Sequence, residues 1–130
     1  MATITEDYVS FETARLLKEK GFDAKCNKCY AYFADDDIRF LNLKYPKLAQ
    51  LLIENRYPCI TLQMAMKWLR EVHNIFIEIS VSIDLNGKYH YSYFILNREC
   101  KYIRKGYTYF DWNYEEAVEA SIKYCLNNLI

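Results

Sequence analysis

A chain of 130 residues with 17 basic and 17 acidic side chains has no net charge at neutral pH, so it lacks the basic excess with which nucleic-acid binders neutralise phosphates. Just over half of it, 52%, is hydrophobic, enough for one domain over residues 1–130 that needs no disulfide or metal staple. No run approaches the roughly 20 apolar residues of a membrane span, and the first residues lack a signal-peptide pattern; a cytoplasmic protein is expected, with its five cysteines as thiols.

The first predicted helix covers residues 11–20. Ser10 supplies an N-cap oxygen, Phe11, Ala14 and Leu17 recur at helical spacing, and Gly21 is suited to the left-handed C′ position. Residues 29–34 and 38–44 read as two short strands joined across Asp35-Asp36-Asp37. That acidic run lacks the spaced oxygen ligands and closing Glu of a calcium loop, so it reads as a solvated turn. Pro46 suits the first turn of a short helix over 48–54.

The next helix starts after Thr61 and carries Leu62, Ala65, Leu69 and Val72 as its apolar stripe, ending near His73-Asn74. Residues 75–83 follow as a strand, because Ile75, Ile77, Ile79, Val81 and Ile83 alternate with Phe76, Glu78, Ser80 and Ser82. Asn86-Gly87 signals a two-residue type I′ hairpin, with its return strand over 88–96 and a third strand over 101–110, interrupted at Gly106. Asn113 and Glu116 make a loose capping box for a helix over Tyr114–Asn128, whose Val118, Ile122, Cys125 and Leu129 share a face. The expected fold class is α+β: a mainly antiparallel sheet with three principal helices packed on one face, in the order α-β-β-(α)-α-β-β-β-α.

A two-residue loop would set Ile83 opposite His90, Val81 opposite Ser92 and Ile79 opposite Phe94, whereas a three-residue loop would exchange the faces. On the two-residue reading one face is aliphatic and packs on the helices. The other carries Tyr89, Tyr91 and Tyr93 among serines and a glutamate, with Tyr102, Tyr107 and Tyr109 as an extension. Either residues 29–44 cover that face or it meets a partner, since tyrosine offers rigid contact area with a hydroxyl.

Sequence motifs for catalysis are absent. Gly21, Gly87 and Gly106 are the only glycines, too few for a phosphate-cradling loop. Cys26-Asn27-Lys28-Cys29 is half of a tetrahedral zinc set, but no second close pair follows, and the motif precedes a strand rather than opening a helix as a redox pair would. Structural thiols are expected, with Cys59 and Cys125 as small buried residues, and neither a metal nor a cofactor. His73 falls at a helix C-terminus and His90 near the hairpin tip on the packed face, and neither marks a triad. The chain reads as a non-enzyme.

Three segments resemble a known family. They are Tyr8-Val9-Ser10-Phe11-Glu12-Thr13-Ala14-Arg15-Leu16-Leu17-Lys18-Glu19-Lys20-Gly21-Phe22, Thr61-Leu62-Gln63-Met64-Ala65-Met66-Lys67-Trp68-Leu69-Arg70-Glu71-Val72-His73, and Tyr114-Glu115-Glu116-Ala117-Val118-Glu119-Ala120. Together they resemble a family of small proteins without an established activity from anaerobic gut bacteria, their phages and integrated elements. The resemblance spans about half the chain and transfers no site residues. It implies a mobile-element setting, where small proteins bind host proteins or sequester small signals.

Two readings of function follow. One is a binding module that contacts a host or phage protein through Tyr89, Tyr91 and Tyr93. The other is a binder of a small nucleotide-like ligand, with tyrosines stacking on a base and Arg98, Lys101, Arg104 or Lys105 meeting phosphate. Neither involves bulk nucleic acid or a membrane.

Overall fold

The computed structural model describes residues 4–23, 28–42, 56–109 and 111–130. The α+β class and the expected order hold. Helix α1 (Phe11–Glu19) precedes strands β1 (Lys28–Ala34), β2 (Asp37–Asn42) and β3 (Arg56–Pro58), then helix α2 (Leu62–His73), strands β4 (Phe76–Ile83), β5 (Tyr89–Leu96) and β6 (Tyr102–Thr108), and helix α3 (Tyr114–Asn128). The short strand β3 is an element that the sequence pattern does not mark. The helix expected over 48–54 lies outside the described residues, as do Cys26, Phe110 and the end of the strand expected over 38–44. The described strands form two antiparallel sheets, ordered β2-β1-β3 and β4-β5-β6. The chain divides into two compact units, Tyr8–Thr61 and Leu62–Ile130 with the N-terminal segment through Asp7. No helix among the described residues is long and apolar enough to cross a membrane.

In the Tyr8–Thr61 unit, α1 is closed at both ends by its own sequence. Ser10 Oγ accepts from the Thr13 N–H at 3.3 Å. Gly21 takes φ 90°, and the N–H groups of Gly21 and Phe22 donate to the carbonyls of Lys18 and Leu17 at 3.2 and 2.9 Å. This is a Schellman ending, which needs a left-handed residue at C′. Ala14 and Leu17 on α1 are fully buried, as are Val9, Cys29 and Ala31. The central strand β1 sends Cys29 and Ala31 to one face and Tyr30 and Tyr32 to the other. Tyr30 is flanked by Phe40 on β2 and Tyr57 on β3. Its hydroxyl donates to the Val9 carbonyl at 2.6 Å, tying the entry segment to the sheet.

In the Leu62–Ile130 unit, α2 and α3 pack together, and α3 also covers β5 and β4. Leu69, Ile95, Val118, Ile122, Cys125 and Leu126 have no exposed surface. The expected capping box is complete: the Glu116 N–H donates to Asn113 Oδ1 at 2.8 Å, and the Asn113 N–H donates to Glu116 Oε1 at 3.2 Å. At the end of α2, Asn74 takes φ 55° and the Ile75 N–H donates to the Leu69 carbonyl at 3.1 Å. The chain therefore turns from helix into β4 without a glycine.

The β4–β5 hairpin departs from the expected two-residue turn. The Gly87 N–H donates to the Asp84 carbonyl at 3.0 Å and the Asp84 N–H to the Lys88 carbonyl at 2.9 Å. That is a three-residue loop, a type I turn closed by Gly87 in a left-handed bulge with φ 80°. The cause is Asp84. Its Oδ1 accepts from the N–H groups of Asn86 and Lys88 at 2.9 and 3.0 Å, an Asx arrangement that favours type I with Asp in first place. The register is therefore Ile83 opposite Tyr89, Val81 opposite Tyr91, Ile79 opposite Tyr93 and Ile77 opposite Ile95. The faces exchange, and the tyrosines join the aliphatic face. His90 moves to the other face, opposite Ser82, and pairs with Asp84 Oδ2 at 2.8 Å.

Candidate functional site

The exchange of faces decides what the sheet tyrosines can do. Tyr93 is 2% exposed. Its ring lies 5.5 Å from that of Tyr107, 6.0 Å from Trp112 and 6.4 Å from Tyr124 on α3, centre to centre. Burial pushes its phenol above the ordinary tyrosine value, against the pull of Arg104 beside it. Tyr91 is half-buried and meets the Tyr114 ring edge-on. Tyr89 remains exposed. The three tyrosines thus grade from surface to core instead of forming an open stripe opposite the aliphatic face.

Arg104 is committed within the same cluster. Its Nε donates to Tyr93 Oη at 2.9 Å, and its guanidinium carbon sits 4.2 Å from the ring centres of both Tyr107 and Tyr124. A guanidinium so placed ties β6 to α3 by cation–π contact. Lys105 falls 5.8 Å from the Tyr102 ring. Arg98 and Lys101 are exposed in the β5–β6 turn, where Asn97 Oδ1 accepts from the N–H groups of Glu99 and Lys101.

Cys29, Cys59 and Cys125 are buried and Cys100 is exposed, while Cys26 lies outside the described residues. Burial pushes the Cys125 thiol up to about 12, which keeps it protonated and inert. Among the described residues, no group of three or more His, Cys, Asp or Glu side chains could hold a metal ion.

A different constellation lies in the Tyr8–Thr61 unit. The pairing of β1 with β2 sets Tyr32 opposite Ile38. Phe11, at the start of α1, reaches over the tyrosines of the sheet. Its ring is parallel to Tyr32 (6.0 Å, 8° between planes) and edge-on to Tyr57 (5.2 Å) and Tyr30 (5.9 Å). Arg15 follows one turn later on the same helix, because residues four apart share a helix face. Phe11, Arg15, Tyr32, Asp35, Ile38 and Tyr57 line a cleft of about 410 Å³, within the roughly 300–1,000 Å³ of small-molecule sites.

The cleft combines aromatic rings and Ile38 with the charged groups of Arg15 and Asp35. The Tyr32 hydroxyl donates to Asp35 Oδ1. The Asp35 carboxylate, as acceptor, holds that phenol above its ordinary value and so keeps it a donor. Lys18 is occupied beside the cleft, lying 4.7 Å from the Tyr57 ring centre and donating to the Arg56 carbonyl at 2.9 Å. Arg39 is held by Asp37 at 3.0 and 3.2 Å. Arg15 makes no hydrogen bond or ion pair with another described residue. Flat rings, one acceptor and one guanidinium without a bonded partner among the described residues can stack on a planar molecule, accept its N–H and pair with its anionic group.

The sequence held a signal for this cleft in the alternation Tyr30-Ala31-Tyr32 and in the helical spacing of Phe11 and Arg15. It was obscured because Tyr57 arrives on β3, a strand of only three residues. No family model matches the chain, and neither does any curated protein or solved structure.

Proposed function

We propose that this protein binds a small nucleotide-like molecule, a planar heterocycle bearing an anionic group, in the cleft of the Tyr8–Thr61 unit. The observation that carries this reading is Arg15: a guanidinium without a bonded partner among the described residues, lining a cleft together with Phe11, Tyr32 and Tyr57. The heterocycle stacks on the rings, Asp35 accepts from its amino or imino group, and Arg15 takes phosphate or carboxylate. The reading is one of capture without turnover, since these groups serve recognition and Asp35 is already bonded to Tyr32.

The protein-contact reading is less well supported in its original form. Tyr89 and part of Tyr91 stay accessible, but Tyr93 belongs to the core and Arg104 to the packing between β6 and α3.

Isothermal titration with adenosine and guanosine monophosphates and their cyclic forms tests the proposal. Binding is expected in the wild type, with Arg15→Ala weakening it by about ten-fold or more, the range for a lost charge-assisted hydrogen bond. A silent panel, or an affinity indifferent to Arg15→Ala, would remove this reading.

A further inference from the structure

The two outer strands of the β4-β5-β6 sheet are protected unequally. β6 carries Arg104 and Lys105 beside Gly106, and its pairing with β5 slips in register between Tyr93 and Ile95 and again between Ile95 and Leu96. Charges and bulges of this kind stop an edge from pairing further. β4 has no bulge and one charge, Glu78. Its residues pair with β5 without a break and include no proline, lysine or arginine. Because the Asp84 N–H donates to the Lys88 carbonyl, the alternation of an antiparallel ladder turns the even residues of β4 toward β5. Ile77, Ile79, Val81 and Ile83 therefore direct their N–H and C=O groups outward. Among the described residues no other strand takes them up.

We propose that β4 pairs with β4 of a second copy of this chain, antiparallel about a two-fold axis, and this contact is independent of the cleft. One register stands out. With Ile77 opposite Ile83 of the second copy and Ile79 opposite its Val81, every outward group of the strand is used. Glu78 then faces Ser82 and Ser80 faces its counterpart, so no like charges meet. A two-residue slip one way sets Glu78 against Asp84, and a longer slip the other way sets Glu78 against Glu78; both oppose like charges. The register between them requires the Ile75 N–H, which already donates to the Leu69 carbonyl at 3.1 Å.

The side chains fit the same arrangement. Val81 and Ile83 are 56% and 60% exposed, whereas Ile77 and Ile79 are half-buried. Two-fold pairing lays the exposed end of each strand beside the covered end of the other. All four aliphatic positions then lie on one continuous face, as an isologous contact demands.

Analytical ultracentrifugation of the full chain over a wide concentration range tests this. Val81→Lys sets a charge where Ile79 of the second copy must lie, and Val81→Pro removes an outward N–H without touching the β5 ladder. The wild type is expected to be a dimer and both variants monomers, with Val81→Lys retaining the wild-type far-ultraviolet circular dichroism. A wild type that stays monomeric throughout, or a dimer that survives Val81→Lys, overturns the proposal.

Discussion

Asp84 does more for this fold than its place in a surface turn suggests. Its carboxylate accepts from His90 Nε2 and from the N–H groups of Lys88 and Asn86, and these bonds, with His90 foremost, hold its pKa below the ordinary 3.8. A group whose pKa is lowered by folding stabilises the native state fully above its unfolded value. That contribution fades as pH falls through the folded value. Amide protection at Gly87 and Lys88, corrected for intrinsic exchange, should therefore decline in acid below about the ordinary carboxylate value. Asp84→Asn keeps an oxygen for the Asx turn but cannot titrate, so its protection should be flat over the same range. Equal acid sensitivity in the two proteins would assign the effect elsewhere. Tyr93 gives a second residue-scale contrast. Tyr93→Ala should cost about 3–5 kcal/mol in urea unfolding, as large aromatic truncations in a core do, whereas Tyr89→Ala should stay within about 0.5 kcal/mol. Similar losses at both sites would contradict the grading of the tyrosines from core to surface.

At the scale of elements, helix ends and periodicity were readable because they are local. Ser10, Gly21, Asn113 and Glu116 act where the sequence places them, each through groups three or four residues away. Asn113→Ala should accordingly destabilise the protein by about 1 kcal/mol, seen as a lower urea midpoint at unchanged slope; a midpoint equal to wild type would mean the capping box contributes nothing. The β4–β5 hairpin was readable as a hairpin but not in register. Asn86-Gly87 favours a two-residue loop, and only the side chain of Asp84 tips the balance to three. Since side chains alternate, that single residue moves Tyr89, Tyr91 and Tyr93 to the aliphatic face. The cleft was less legible still. It joins α1, the β1–β2 turn and β3 across long stretches of chain, and no local pattern announces a contact between Phe11 and Tyr57.

At the scale of the whole molecule, the chain keeps two kinds of aromatic cluster. In the Leu62–Ile130 unit, Tyr107, Trp112 and Tyr124 gather around the buried Tyr93, whose hydroxyl accepts from Arg104. In the Tyr8–Thr61 unit, Phe11, Tyr32 and Tyr57 line a cleft together with Arg15, which has no bonded partner among the described residues. The difference lies in what the cation meets: Arg104 donates to a buried phenol, and Arg15 makes no hydrogen bond or ion pair with another described residue. The most direct measurement is a titration of the ¹⁵N-labelled protein with adenosine and guanosine monophosphates, followed by amide and arginine Nε resonances. The account predicts saturable shifts confined to Phe11, Arg15, Tyr32, Asp35, Ile38 and Tyr57 and their neighbours, with the Arg15 Nε–H among the largest. Shifts centred on Arg104 and Tyr93, or none at these resonances, would contradict it.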